Sequence, residues 1–145
     1  MIVLPAAVRE TIRERAREDS PAECCGVLGG AYEPEGTSRV HSQYPADNVA
    51  ETPRMRYEID PEQQLAIFDR LEARGEEIVG FYHSHPRGPA RPSDTDAALA
   101  TWPDRSYVIV SLEPAELGSW RWQASVDRDG GTVDGRFERE RLVVD

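Results

Sequence analysis

Apolar residues in this chain come in short runs, none approaching the roughly 20 consecutive positions a bilayer-spanning helix needs, and Gly or Pro ends most of them. Such a chain must assemble its core from several brief elements. With 145 residues it has room for one domain with a sizeable core. Residues 5–19 read as an amphipathic helix: Pro5 suits a first turn, Val8, Ile12 and Ala16 share one face, and Ser20-Pro21 closes it. Residues 24–28 read as a buried strand stopped by Gly29-Gly30. A turn over Glu33-Pro34-Glu35-Gly36 then leads to a second strand at 38–44. Residues 45–56 read as a loop and 56–59 as a short strand. Asp60, Pro61 and Gln63 stand where the N-cap, N1 and N3 residues of a helix belong. Leu65, Ile67, Phe68 and Leu71 give that helix its apolar face, and Gly75 ends it. A strong strand at 77–82 precedes a Pro-rich loop at 85–92 and a short helix capped by Ser93 that carries Ala97, Ala98 and Leu99. Strands at 107–112, 118–124 and 135–144 follow, with a Gly130-Gly131 turn before the last. The order αββ(β)αβαβββ predicts a single α/β domain over residues 1–145, with a mixed central β-sheet flanked by helices.

Composition narrows the function. Charged residues reach 30%, yet the apolar residues cluster, which argues against wholesale disorder. The opening MIVLPAAVRE is too short and uncharged for a signal peptide, so no membrane partner is expected. Seventeen basic residues against 27 acidic ones give a net charge of −10, which argues against a nucleic-acid binder that works by neutralising phosphates. Every basic residue is Arg. An acidic, Lys-free surface fits a high-salt cytosol, and GC-rich codon bias accounts for it equally well. Cys24 and Cys25 are adjacent, a spacing that rarely supports a disulfide. They fit a reducing cytoplasm and a place in the core.

Two of the three histidines, His83 and His85, stand one residue apart at a strand end, where alternation points both imidazoles to one face. If Ser93 caps a helix, Asp96 occupies N3 and its carboxylate can turn back toward that strand end. Two imidazoles and a carboxylate form the ligand set of a catalytic zinc with one position open. On spacing alone the pair also fits a surface or turn His-x-His, and Asp96 a residue placed for the helix dipole. Glu23 alone reads as a solvated strand-edge carboxylate, and Ser93 as a simple cap. His41 reads as a partly exposed strand residue and Asp94 as solvent-facing. Trp120 and Trp122, two apart on one strand, read as core packing ahead of groove residues, a role also open to Trp102.

His83-Ser84-His85-Pro86 followed by Ser93-Asp94-Thr95-Asp96 resembles the His-x-His-Pro…Ser-x-x-Asp signature of the JAMM (MPN-plus) metalloproteases. Pro21-Ala22-Glu23-Cys24-Cys25-Gly26, running on to Gly30, is similar to the family's upstream Glu segment. The resemblance covers nearly the whole chain and implies a cytidine-deaminase-like JAMM/MPN fold. The Cys-rich signature of the zinc nucleoside deaminases, which share a similar fold, is missing. It implies that His83, His85 and Asp96 bind Zn²⁺, and that Glu23 takes a proton from the attacking water and passes it to the leaving amine. It implies that Ser93 donates to the oxyanion.

The resemblance also implies substrates: ubiquitin-like modifier proteins and their conjugates. Only nine residues separate Asp96 from Ser106, so the insertion that eukaryotic members carry there is absent. The segment from Gly80 to Leu112, with Gly118-Ser119-Trp120-Arg121-Trp122 after it, is most similar to stand-alone members from salt-loving archaea that detach small modifiers from lysine (desampylation). Cleavage after the modifier's C-terminal Gly-Gly is expected, with the tail held by edge pairing near residues 56–59. Release of cysteine or a peptide from a ubiquitin-fold sulfur carrier is the alternative. A non-catalytic MPN interaction module is the reading of another class, and the five intact positions speak against it. A monomer or weak homodimer is expected.

Overall fold

The computed structural model describes residues 1–126 and 132–145. Its strands are β1 (Ile2–Leu4), β2 (Cys25–Ala31), β3 (Ser38–Ala46), β4 (Glu77–His85), β5 (Ser106–Ser111), β6 (Glu116–Val126), β7 (Thr132–Glu140) and β8 (Leu142–Val144). The helices are α1 (Ala6–Asp19), α2 (Pro61–Ala73) and α3 (Asp94–Leu99). The strands form one mixed sheet in the order β7-β6-β5-β4-β2-β3-β1-β8. β4 lies inside it, antiparallel to β2 and parallel to β5. A parallel pair needs a crossover connection, and the chain between β4 and β5 supplies it with α3.

The sheet separates two apolar clusters. Ile12 and Ala16 of α1 pack with Ile2, Leu28, Val79, Tyr82 and Val108 on one face. Ile67 and Leu71 of α2 pack with Val27, Tyr44, Phe81 and Tyr107 on the other, where Ala97 of α3 also sits. The expected α/β architecture is therefore present, with α1 on one face and α2 and α3 on the opposite one. Gly80 lets β4 and β5 approach closely: a Cβ there would lie 1.9 Å from the Ser106 carbonyl oxygen. The register of β4 on β2 shifts between Leu28 and Gly29, which leaves Val79 as the extra residue. Beyond this bulge Phe81, His83 and His85 alternate with Gly80, Tyr82 and Ser84, and the bulge thereby sets which face the histidines occupy.

Several boundaries differ from the sequence reading. β1 has no counterpart in the sequence pattern: three apolar residues ahead of a helix carry too little periodicity to signal a strand. Gly29-Gly30 does not stop β2, which runs through both because its neighbours on each side pair with them. Residues 56–59 do not form a strand. Met55 and Arg56 N–H groups fold back onto the Thr52 carbonyl, and only Ile59 makes a bridge, to Asn48. Leu65 is 66% exposed and not part of the buried face of α2. The expected strand at 135–144 is two strands, and the Gly130-Gly131 turn lies outside the described residues. β7 and β8 stand at opposite edges of the sheet, yet Arg141 alone joins them. One residue bridges at most about 7 Å between its neighbours' Cα atoms, so the sheet curls until its edges meet at one end. At that seam Glu140 accepts from Arg121 Nε at 2.8 Å, Ser119 Oγ at 2.7 Å and Ser106 Oγ at 2.5 Å.

Candidate active site

β4 continues in regular pleat through His85, three residues past the expected strand end, so both imidazoles leave the same face. α3 brings the third group. Ser93 Oγ accepts from the Asp96 N–H at 3.0 Å, and Asp96 Oδ2 accepts from the Ser93 N–H at 2.9 Å. This reciprocal cap turns the Asp96 carboxylate back toward β4. The His83 Nε2–His85 Nε2, His83 Nε2–Asp96 Oδ2 and His85 Nε2–Asp96 Oδ2 distances are 3.2, 3.2 and 3.1 Å. Glu23 enters from the start of β2. Cys25 is in register with His83, and Ser84 Oγ accepts from the Cys24 N–H at 2.8 Å, which fixes the chain beside Glu23. One donor atom from each of Glu23, His83, His85 and Asp96 lies within 4.8 Å of the others.

The donor set fits a zinc ion. Bonds of ~2.0–2.1 Å at tetrahedral angles place ligand atoms about 3.4 Å apart, close to the observed triangle. His85 Nδ1 lies 3.0 Å from the Pro89 carbonyl oxygen, an acceptor, so the neutral ring carries its proton there and leaves the Nε2 lone pair facing the triangle. His83 Nδ1 is buried with no hydrogen-bond partner among the described residues, and the Tyr57 ring stacks on that imidazole instead, with centroids 4.4 Å apart and planes 22° from parallel. Glu23 is 5% exposed, and its Oε1 has no hydrogen-bond partner among the described residues. It stands beside the triangle and outside it, where a carboxylate can carry a proton.

The electrostatics follow from burial. Burial pushes Glu23 up to about 7, against the pull of His85 and with a contribution from Asp96. A carboxylate with that value can both take and give a proton near neutral pH. Burial lowers His83 despite its bond to Asp96, which favours the neutral, ligating ring. Asp96 is held well below the usual carboxylate range: burial opposes this, and the close contacts with the His83 and His85 imidazoles outweigh it. The site opens into a groove of about 980 Å³ lined by Glu23, His85, Ser93, Arg54, Met55 and Arg91.

The structure thus brings together all five residues singled out in the sequence, and buries the Glu23 carboxylate that local reading left in solvent. His41 and Asp94 are exposed. Cys24 and Cys25 are free thiols buried in the core. Trp122 is buried with Phe137, and Trp102 lines a second pocket of about 310 Å³ with Tyr57 and Phe81. Trp120 has a task the sequence did not suggest: its Nε1 donates to the Ala90 carbonyl at 3.2 Å and so steadies the Pro-rich loop that supplies the Pro89 carbonyl. Tyr57 and Pro89 carried no motif signal, because their contacts to the imidazoles exist only after the chain has folded.

A mixed sheet of this topology carrying a His-x-His pair, a helix-borne Asp and an upstream Glu defines a class. The sequence matches the family described as prokaryotic homologs of the JAB domain over residues 5–123, and the chain belongs to that family. It is 44% identical to the desampylase of Haloferax volcanii over 112 residues, 74% of this chain and 78% of that one. It is 39% identical to the CysO-cysteine peptidase of Mycobacterium tuberculosis, over 99% of this chain and 91% of that one. The solution structure of a Desulfitobacterium hafniense protein matches with a TM-score of 0.80 at 31% identity, covering 100% of this chain and 93% of that one. A JAB1/MPN domain protein from Archaeoglobus fulgidus, at 20% identity and a TM-score of 0.55 over 99% of this chain and 96% of that one, shares the fold.

Proposed function

We propose that this protein is a zinc-dependent isopeptidase that hydrolyses the bond between the C-terminal Gly-Gly of a ubiquitin-like small modifier and a target lysine. One observation carries the reading: three metal-donor atoms converge at 3.1–3.2 Å beside a buried carboxylate whose Oε1 has no partner among the described residues. His83, His85 and Asp96 hold the metal. Bound there, Zn²⁺ supplies Lewis acidity, polarising a carbonyl and acidifying water near neutral pH. Glu23 takes the proton of the attacking water and delivers it to the departing nitrogen. Ser93 uses its oxygen to cap α3, which leaves its O–H free to donate to the oxyanion of the tetrahedral intermediate. The protein works in a reducing cytoplasm, a reading supported by its two free buried thiols, and its acidic, Lys-free composition suits a high-salt one.

A second reading has its own support. The CysO-cysteine peptidase aligns over nearly the whole chain, which favours release of cysteine from a ubiquitin-fold carrier. Purified zinc-loaded enzyme incubated side by side with a modifier–lysine isopeptide conjugate and a carrier–cysteine adduct decides between them. Faster cleavage of the isopeptide is expected. Cleavage of the cysteine adduct alone would overturn the first reading.

A further inference from the structure

The loop between β3 and α2 touches the site at two points, and one side chain organises both. Asn48 Nδ2 donates to the carbonyl of Glu23 at 3.0 Å and to that of Arg56 at 3.0 Å, with Pro53 at 3.4 Å. Asn48 Oδ1 accepts from the Ala50 N–H at 3.1 Å and the Glu58 N–H at 3.0 Å. The Glu23 N–H donates to the Pro53 carbonyl at 2.8 Å, and the Val49 N–H to that of Glu58 at 2.8 Å. Below this segment, Gln63 at the start of α2 exchanges two hydrogen bonds with Asp47, at 2.7 and 2.8 Å. Tyr57 lies between Arg56 and Glu58, the two residues whose backbones Asn48 grips. Its ring covers His83, the one histidine of the pair whose second nitrogen has no hydrogen bond from the described residues to orient it.

We propose that Asn48 and Tyr57 form a positioning clamp, in which Asn48 ties the backbone of Glu23 to the 56–58 segment and Tyr57 thereby sets the plane of His83. The inference rests on the metal reading of the site. Its chemistry needs an amide, because only a side chain with both donors and an acceptor can bond carbonyls and N–H groups at once. An ionised Asp in the same place keeps the acceptor contacts and loses the donor ones. The His83 contact needs a flat ring and no hydroxyl, so Phe preserves it and Leu does not. Groups that orient a metal-ligating imidazole typically change metal affinity or activity by about 10–100-fold when removed.

The test compares wild type with Tyr57→Leu, Tyr57→Phe and Asn48→Asp, each purified with zinc. Three quantities are measured: zinc retention against a graded chelator in the absence of substrate, the thermal midpoint, and kcat and KM on the isopeptide conjugate. Tyr57→Leu should lose zinc about 10–100-fold more readily, with Tyr57→Phe restoring retention to within about threefold of wild type. Asn48→Asp should lower kcat about 10-fold or more with KM little changed. Wild-type zinc retention in Tyr57→Leu, or a wild-type kcat in Asn48→Asp, would overturn the clamp. If Asn48→Asp fails to fold, the Tyr57 pair decides alone. A wild-type protein that neither holds zinc nor cleaves the conjugate overturns the metal reading itself, whereas wild-type zinc and turnover beside an unaffected Tyr57→Leu overturns only the clamp.

Discussion

Ser93 holds two assignments that one pair of substitutions separates. Its Oγ accepts from the Asp96 N–H at 3.0 Å, and its own N–H donates to Asp96 Oδ2 at 2.9 Å. Ser93→Ala removes the first bond and keeps the second, because residue 93 contributes only its backbone N–H to the second. Loss of an N-cap side chain costs about 1 kcal/mol. For a chain of this size that corresponds to a fall in Tm of roughly 2–4 °C. Loss of a donor to the oxyanion costs about 10²–10³ in kcat, several times more in free energy. Ser93→Gly sharpens the contrast. Glycine is a tolerable N-cap, a few tenths of a kcal/mol below serine, yet it offers no hydroxyl. The two variants should therefore melt differently and be equally slow. Thermal melts followed by circular dichroism and saturating turnover on the isopeptide conjugate give both numbers from one preparation. Should Ser93→Gly recover activity in step with stability, the hydroxyl serves α3 alone and the oxyanion role fails.

Glu23→Gln should retain stoichiometric zinc while kcat falls about 10²–10⁴-fold, as metal analysis and turnover on the same sample would show. His83→Ala or His85→Ala should abolish zinc binding and activity and leave a folded protein; full zinc content in both would refute the ligand assignment. Away from the site, Glu140→Ala should be costly, because it leaves the buried Arg121 guanidinium without its closest carboxylate, Asp104 being 3.8 Å away. Removing one partner of a buried pair costs about 3–5 kcal/mol. The expected drop in Tm is roughly 10 °C, with KM unchanged; a melt within a degree or two of wild type would contradict a stabilising seam.

Much of the site was legible from neighbours a few residues apart. Asp60 caps α2 by accepting from the Glu62 N–H at 3.0 Å, and Gly75 ends that helix with φ +71°, both as expected. Gln63, in contrast, reaches across to Asp47. The shared face of His83 and His85 follows from the two-residue period of a strand, and the inward turn of Asp96 from its place three residues past a capping serine. These relations are set by backbone geometry within one element, which a linear sequence displays directly.

What the sequence by itself determined was the set of chemical groups and their local presentation: two imidazoles on one strand face, an acidic residue at N3 and a hydroxyl at the cap. Folding decided the rest. Whether Glu23 is a solvated carboxylate or a proton carrier depends on its burial, and the backbone that carries it is held by Pro53 and Asn48, some 25–30 positions away. Tyr57 and Pro89 orient the imidazoles through contacts between separate elements, which no spacing rule encodes. The approach of β7 to β8 likewise depends on the accumulated curl of eight strands and not on Arg141. Burial and long-range partnership are properties of the packed chain, because desolvation and hydrogen-bond geometry depend on neighbours in space, and these are known only once every element has taken its place.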